Sequence, residues 1–259
     1  MNKYYLLIIS VFSSLFISFG QNCNRTDASG CYCNDTVSKQ CDLLPDLTIS
    51  LESITNPNAG IIEYPQTQAG ANFSRQGNDD GRLRVSIGTP NIGYGPLHVI
   101  GLDTFVCGTD TLKNIDPNTF ICDNGKVPSR LILQRIYHKN NDSMQYYNRE
   151  VGTMTYHPFH MHMHVDDWVV FSLRIKNNNE PNPLKWPIIG KANKIGYCLF
   201  DALSCTGIKG FCKDENDSIL LTNKVKNFTL GRFGNCTDKE QGITSVILTF
   251  ILRVLMACG

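Results

Sequence analysis

The stretch His157-Pro158-Phe159-His160-Met161-His162-Met163-His164-Val165 alternates imidazoles with apolar side chains from residue 160 onward. Period-two alternation is the mark of a half-buried β-strand, because successive side chains leave opposite faces. Same-face neighbours stand about 6.6 Å apart. His160, His162 and His164 are therefore expected to project from one face, with Met161, Met163 and Val165 turned toward a core. Four of the chain's six histidines fall within residues 157–164. Imidazole clusters suit Cu, Zn, Ni and Fe rather than Ca or Mg. The pattern points to a strand-borne transition-metal site; the alternative is a wet strand face with chance polar residues.

Working outward, Leu47–Leu51, Leu83–Ile87, Leu97–Ile100 and Leu131–Tyr137 read as further strands. Asn91–Pro96 is a turn. Residues 56–81 and Lys176–Pro187 are rich in Gly, Asn, Pro or charge and read as loops. Asp166-Asp167 reads as a break between the histidine strand and a second β run, Trp168–Arg174. No long segment shows a helical period. The fold class is all-β: a single β-sandwich domain with a short Cys-rich N-terminal cap and disulfides.

Residues 1–20 read as a secretory signal. Lys3 supplies the positive end, Leu6–Phe16 the apolar run, and Ser18-Phe19-Gly20 a small-x-small cleavage site. An uncleaved anchor is the alternative, although the run is short for a spanning helix. A secreted, extracellular location suits the eleven cysteines, which in an exported chain read as disulfides. Cys23, Cys31, Cys33 and Cys41 cluster in residues 21–43, where a zinc knuckle is the other reading. Ten cysteines can pair, with Cys198, Cys205, Cys212 and Cys236 bridged inside the domain and Cys258 left over. Sequons stand at Asn24, Asn34, Asn72, Asn141, Asn216, Asn227 and Asn235. The net charge of +1, without basic or acidic runs, gives no reason to expect nucleic acid or an anionic membrane surface as a partner.

The segment Thr155–His164 resembles the copper-binding W-H-x-C-H-x-H-x-H signature of lysyl oxidases. It departs at Tyr156, where the family usually has Trp, and at Phe159, where animal members have Cys. Further segments match in the same order: Leu44-Pro45-Asp46-Leu47, Leu83–Ser86 with Asn91–Leu97, Lys194–Cys198 with Ser204-Cys205, and Cys236–Thr244. The resemblance spans residues 44–244. It implies a catalytic domain in which His160, His162 and His164 hold Cu(2+), with His157 accessory. It also implies a lysine tyrosylquinone, for which Lys194 is the matching lysine. Oxidative deamination follows from the family: protein lysine side chains or small primary amines are converted with O2 to aldehydes, H2O2 and ammonia. Asp166 and Asp167 are candidate bases or carboxylates supporting the metal.

The match breaks at the quinone tyrosine, since no Tyr follows Tyr197. Residues 245–259 form instead an apolar tail. It reads as a short membrane anchor, as a terminal strand or helix, or as the product of a shifted frame. Codons compatible with Val246–Gly259, read one frame over, can spell the missing D-x-Y and Trp. The other functional classes are a non-catalytic secreted copper- or zinc-binding sandwich and a cupin-like oxygenase. The latter needs a carboxylate ligand and a distant histidine, for which His98 and His138 remain.

Overall fold

The computed structural model describes residues 23–35, 37–50, 53, 61–64, 82–158, 161–205, 227 and 229–257, with backbone alone at 61–64, 82–86, 191–196, 204 and 248–257. The signal segment, His160, Cys212 and Cys258 lie outside these residues.

The strands in chain order are β1 (Gln40–Leu43), β2 (Ile61–Tyr64), β3 (Arg82–Pro90), β4 (Leu97–Cys107), β5 (Asp110–Lys113) and β6 (Ser129–Asn140), followed by β7 (Ser143–His157), β8 (His162–Arg174), β9 (Ile188–Tyr197), β10 (Leu203–Ser204), β11 (Glu240–Ile243) and β12 (Ile247–Ala257). They form two sheets. The larger runs β11-β4-β6-β7-β8-β9, with β1 also on β6 and β5 on β4; the smaller runs β10-β12-β3-β2. Every described pairing is antiparallel. The all-β, sandwich-like architecture is the expected one.

Its core joins the sheets. Leu97, Val99, Phe105, Ile132, Met154, Met163, Val165 and Ile243 of the larger sheet form one buried cluster with Leu199 and with Ile247 of the smaller. A second cluster, Cys23, Ala28, Cys31, Leu43, Tyr137 and Leu230, seats the Cys-rich cap on the far end of β6. The cap is stapled by Cys23–Cys31 and Cys33–Cys41, which excludes the zinc-knuckle reading. Cys107–Cys122 and Cys198–Cys236 are also bonded, and Cys205 is a disulfide cysteine too.

Buried Asn91 knits the loops between the sheets. Its Nδ2 donates to Gly95 O (2.9 Å) and Ile243 O (3.1 Å), while its Oδ1 accepts from the Asp46 and Gly93 N–H groups, both at 3.0 Å. The neighbouring Gly95 must lack a side chain: a Cβ there would sit 1.8 Å from the Leu43 carbonyl oxygen.

Several sequence expectations need correcting. Of the expected strand Leu47–Leu51, the described residues 47–50 form no strand of their own, and Leu51 lies outside the described residues. Leu47 makes one isolated bridge to Asn91, and the Thr48 and Ser50 N–H groups donate to Pro90 O and Gly88 O. The supposed loop at 56–81 contains β2. Asp166-Asp167 is not a turn, because β8 runs through it. The register with β9 shifts between Asp166 and Val169, and Asp167 takes φ +49°, so the chain bulges rather than breaks. The loop after β8 contains one 3-10 turn, Pro183–Lys185. The apolar tail is β12, paired with β3 from Leu248↔Pro90 to Ala257↔Arg82. Among the described residues, no helix is long and apolar enough to cross a membrane.

Candidate metal centre

The histidine stretch is a hairpin, not one strand. β7 ends at His157 and β8 begins at His162, so residues 158–161 are the connection. Met161 closes it with φ +56° and donates its N–H to His157 O at 2.9 Å. Pro158 explains the stop, since it can donate nothing to a ladder. His157 then faces His162 in register, and Thr155 faces His164. Cross-strand partners share a face. Met154, Tyr156, Met163 and Val165 pack on the core, and Thr153, Thr155, His157, His162, His164 and Asp166 occupy the opposite face.

The expectation of three histidines on one strand therefore changes. His160 comes before β8 in the sequence and lies outside the described residues. Met161 is 78% exposed in the connection and is no part of a core row. His157, read from the sequence as accessory, is instead inside the cluster. Its ring stacks on His164 with centroids 4.8 Å apart, and the His162 and His164 centroids lie 4.9 Å apart.

The closest approach is His162 Nε2 to His164 Nε2, 3.0 Å. Without a metal, that is a hydrogen bond in which one neutral ring donates and the other accepts. It is also a coordination distance. With metal–nitrogen bonds of about 2.0–2.1 Å, cis donors in a tetragonal sphere stand about 2.9 Å apart and tetrahedral ones about 3.4 Å. The pair fits a nitrogen-bound transition metal with little movement.

Asp166 sits on the same face, two residues beyond His164. Its Oδ2 accepts from Thr153 Oγ1 (2.8 Å) and Thr155 Oγ1 (2.7 Å), and Ser129 Oγ extends the polar row to Thr155 at 2.7 Å. Burial raises its pKa above the usual carboxylate value; the threonine hydrogen bonds oppose this and the Asp167 charge adds to it. Asp167 is exposed at the bulge.

Three neighbours escaped the sequence reading. The Asp238 carboxylate accepts the Met163 N–H at 3.0 Å, and buried Gln241 donates Nε2 to Met163 O at 2.6 Å. They clamp the start of β8. The Cys198–Cys236 disulfide lies against His162, with both sulfurs and a His162 ring nitrogen all within 4.8 Å of one another. Bonded to each other, these sulfurs are not thiolate ligands. On the β7 side of this polar face, the Thr153-x-Thr155-x-His157 alternation is the signal the sequence offered.

Lys194 lies on β9 opposite Val169 of β8, roughly 15 Å along the strand from His164; its side chain lies outside the described residues. Tyr156 and Tyr197 pack on the core, across the sheet from the histidines. Tyr146 and Tyr147 are exposed more than 30 Å back along β7 by the usual rise, where Tyr147 Oη donates to Asp42 at 3.0 Å.

His98 and His138 do not reach the cluster either. His98 is fully buried between Tyr137 Oη (3.1 Å) and Glu240 Oε1 (2.6 Å), the latter contact lying off the hydrogen-bond line. Burial lowers its pKa to about 4, against the opposing pull of Glu240. His138 Nδ1 is held by Asp42 at 2.8 Å in the far half of β6. Both placements remove the cupin-like arrangement. No family, curated protein or solved structure matches this chain in sequence or in fold.

Proposed function

We propose that the protein is an exported copper protein of lysyl oxidase type. The observation that carries this reading is the His157, His162 and His164 cluster on one face of the β7–β8 hairpin, with two ring nitrogens at 3.0 Å. Imidazole donors at a cis spacing suit Cu(II), and His160 in the adjoining connection is a further candidate ligand. Disulfides are consistent with an extracellular location and so support export.

Bound copper would supply a Lewis-acidic, redox-active centre. The chain's own residues would orient it. The core packing of Met163 and Val165 fixes the ligand strand, and Asp238 and Gln241 hold its first residues through the Met163 backbone. Asp166, partly desolvated on the same face, would take up a proton there.

The quinone fits less well. Lys194 is on the neighbouring strand, but the described tyrosines near the hairpin face the core, and Tyr146 and Tyr147 are too distant. The favoured activity of the 259 residues is copper binding, with oxidative deamination of primary amines requiring a tyrosine from elsewhere. This placement also favours the second reading, a non-catalytic copper- or zinc-binding sandwich.

The test is metal analysis of purified chain together with amine-dependent H2O2 production. Stoichiometric copper with negligible peroxide is expected. Robust peroxide from a primary amine, lost in Lys194→Ala, would show that a tyrosine of this chain makes the cofactor after all. Zinc uptake with no copper uptake would leave the second reading alone.

A further inference from the structure

The copper reading leaves the disulfide beside His162 unused. One ring nitrogen of His162 and the sulfurs of Cys198 and Cys236 lie within 4.8 Å of one another, and His164 Nε2 is 3.0 Å from His162 Nε2. One imidazole and two sulfurs thus converge, with the His164 ring against that imidazole. Bonded together, the sulfurs have no thiolate to offer. Separated, they complete a Cys2His donor set with His162.

We infer that Cys198–Cys236 is a redox lock on the metal site: closed, it leaves a nitrogen-donor site for Cu(II), and opened, it creates a Cys2His site for Zn(II) with His162, its fourth position open to His164 or water. This rests on the histidine site described above. The opening step consumes a dithiol. One of its sulfurs attacks the protein disulfide, and the second displaces the protein from the mixed disulfide. The reductant leaves as a cyclic disulfide, and two electrons and two protons remain on Cys198 and Cys236 as thiols. Zn(II) then binds and releases the two protons to solvent, with no further change of oxidation state.

The geometry suits a tetrahedral ion. Bonds of about 2.3 Å to sulfur and 2.0–2.1 Å to nitrogen put neighbouring donors about 3.3–3.8 Å apart. The two cysteine Cα atoms are 5.7 Å apart, so side-chain rotation alone can part the sulfurs that far. Opening the bond does not release either cysteine. Asp238 and Gln241 still hold the Cys236 loop on Met163, and the Leu199 N–H donates to Gln241 Oε1 at 3.1 Å beside Cys198. Cys198 and His164 are buried, which strengthens thiolate–metal attraction.

The test uses the full chain and Co(II) as a spectroscopic probe for the zinc site. A trialkylphosphine serves as reductant, taking oxygen from water as it cleaves the bond. The reduced chain should bind Co(II) with sulfur-to-cobalt charge-transfer bands that Zn(II) abolishes; the oxidised chain should show none. Cys198→Ser/Cys236→Ser should lose the bands, Cys33→Ser/Cys41→Ser should keep them, and His162→Ala should weaken binding at least tenfold. Independently of any variant, Zn(II) should protect Cys198 and Cys236 of the reduced chain from alkylation, read by peptide mass spectrometry. Bands that survive in Cys198→Ser/Cys236→Ser, or alkylation of both cysteines unimpeded by zinc, would overturn the inference. Cobalt bands in a chain that takes no Cu(II) when oxidised would sink the copper reading and with it the closed half of the lock, leaving the zinc site of the opened chain standing; Cu(II) uptake without cobalt bands would keep the copper reading and overturn the inference.

Discussion

Replacing His162 with alanine isolates the copper site from the fold. His162 is half-buried at the start of β8, and its Nε2 makes the 3.0 Å contact with His164. Losing even an outer-shell partner of a metal site costs about 10–100-fold in affinity, so loss of a donor should cost at least about 100-fold. At a free copper concentration 100 times the native dissociation constant, binding stabilises the folded chain by about 2.7 kcal/mol. A 100-fold weaker variant retains about 0.4 kcal/mol at the same concentration. For a domain of this size each kcal/mol moves Tm by about 2–4 °C. The copper-induced rise in Tm should therefore shrink by about 5–9 °C in His162→Ala, with chelator competition giving the affinities. His138→Ala is the control. His138 pairs with Gln145, about 40 Å along β7 from His157, and bonds Asp42 instead. Its copper-induced shift should equal that of the native chain. An unchanged shift in His162→Ala, or a lost one in His138→Ala, would refute the assignment.

Asn91→Ala removes two donated and two accepted hydrogen bonds at a fully buried position, so urea unfolding should show a loss of about 2–5 kcal/mol; a loss under about 0.5 kcal/mol would mean the loops are held by other contacts. The pH dependence of stability should carry the mark of His98, whose folded pKa of about 4 lies below the ordinary value of 6.5. Its stabilising effect is complete above 6.5 and is lost as pH falls toward 4, because the unfolded chain takes the proton first; the size is on the order of 3 kcal/mol. Unfolding free energies at pH 7 and 4.5 should differ less in His98→Gln than in the native chain, and an equal difference would remove His98 as the cause. Asn227 should carry no glycan in folded protein from a eukaryotic secretory host, because its buried amide accepts from Tyr32 N at 2.7 Å and donates to the carbonyl oxygens of Tyr32 (2.8 Å) and Tyr94 (2.7 Å). Exposed Asn141, in the β6–β7 turn, is a sequon open to modification, and peptide mapping that finds a glycan on Asn227 would contradict the packing.

Read alone, the sequence already specified the all-β class, because period-two alternation is a local property of strands and survives in β3, β4, β6 and β8 without knowledge of neighbours. Histidine content and spacing likewise announced a metal face, since residue type dictates donor chemistry. Local pattern could not locate the hairpin. His160-x-His162-x-His164 alternates as well across a tight connection as along a strand, and only the pairing of β7 with β8 brought His157 into register with His162. Long-range placement was invisible for the same reason. Cys236, Asp238 and Gln241 lie more than seventy residues from the histidines along the chain, and they meet β8 because sheet packing folds that segment onto it. The tail's role was equally a tertiary matter: an apolar run can enter a membrane, a helix or a sheet. What decided it was the row of backbone groups on β3, which β12 satisfies by antiparallel pairing.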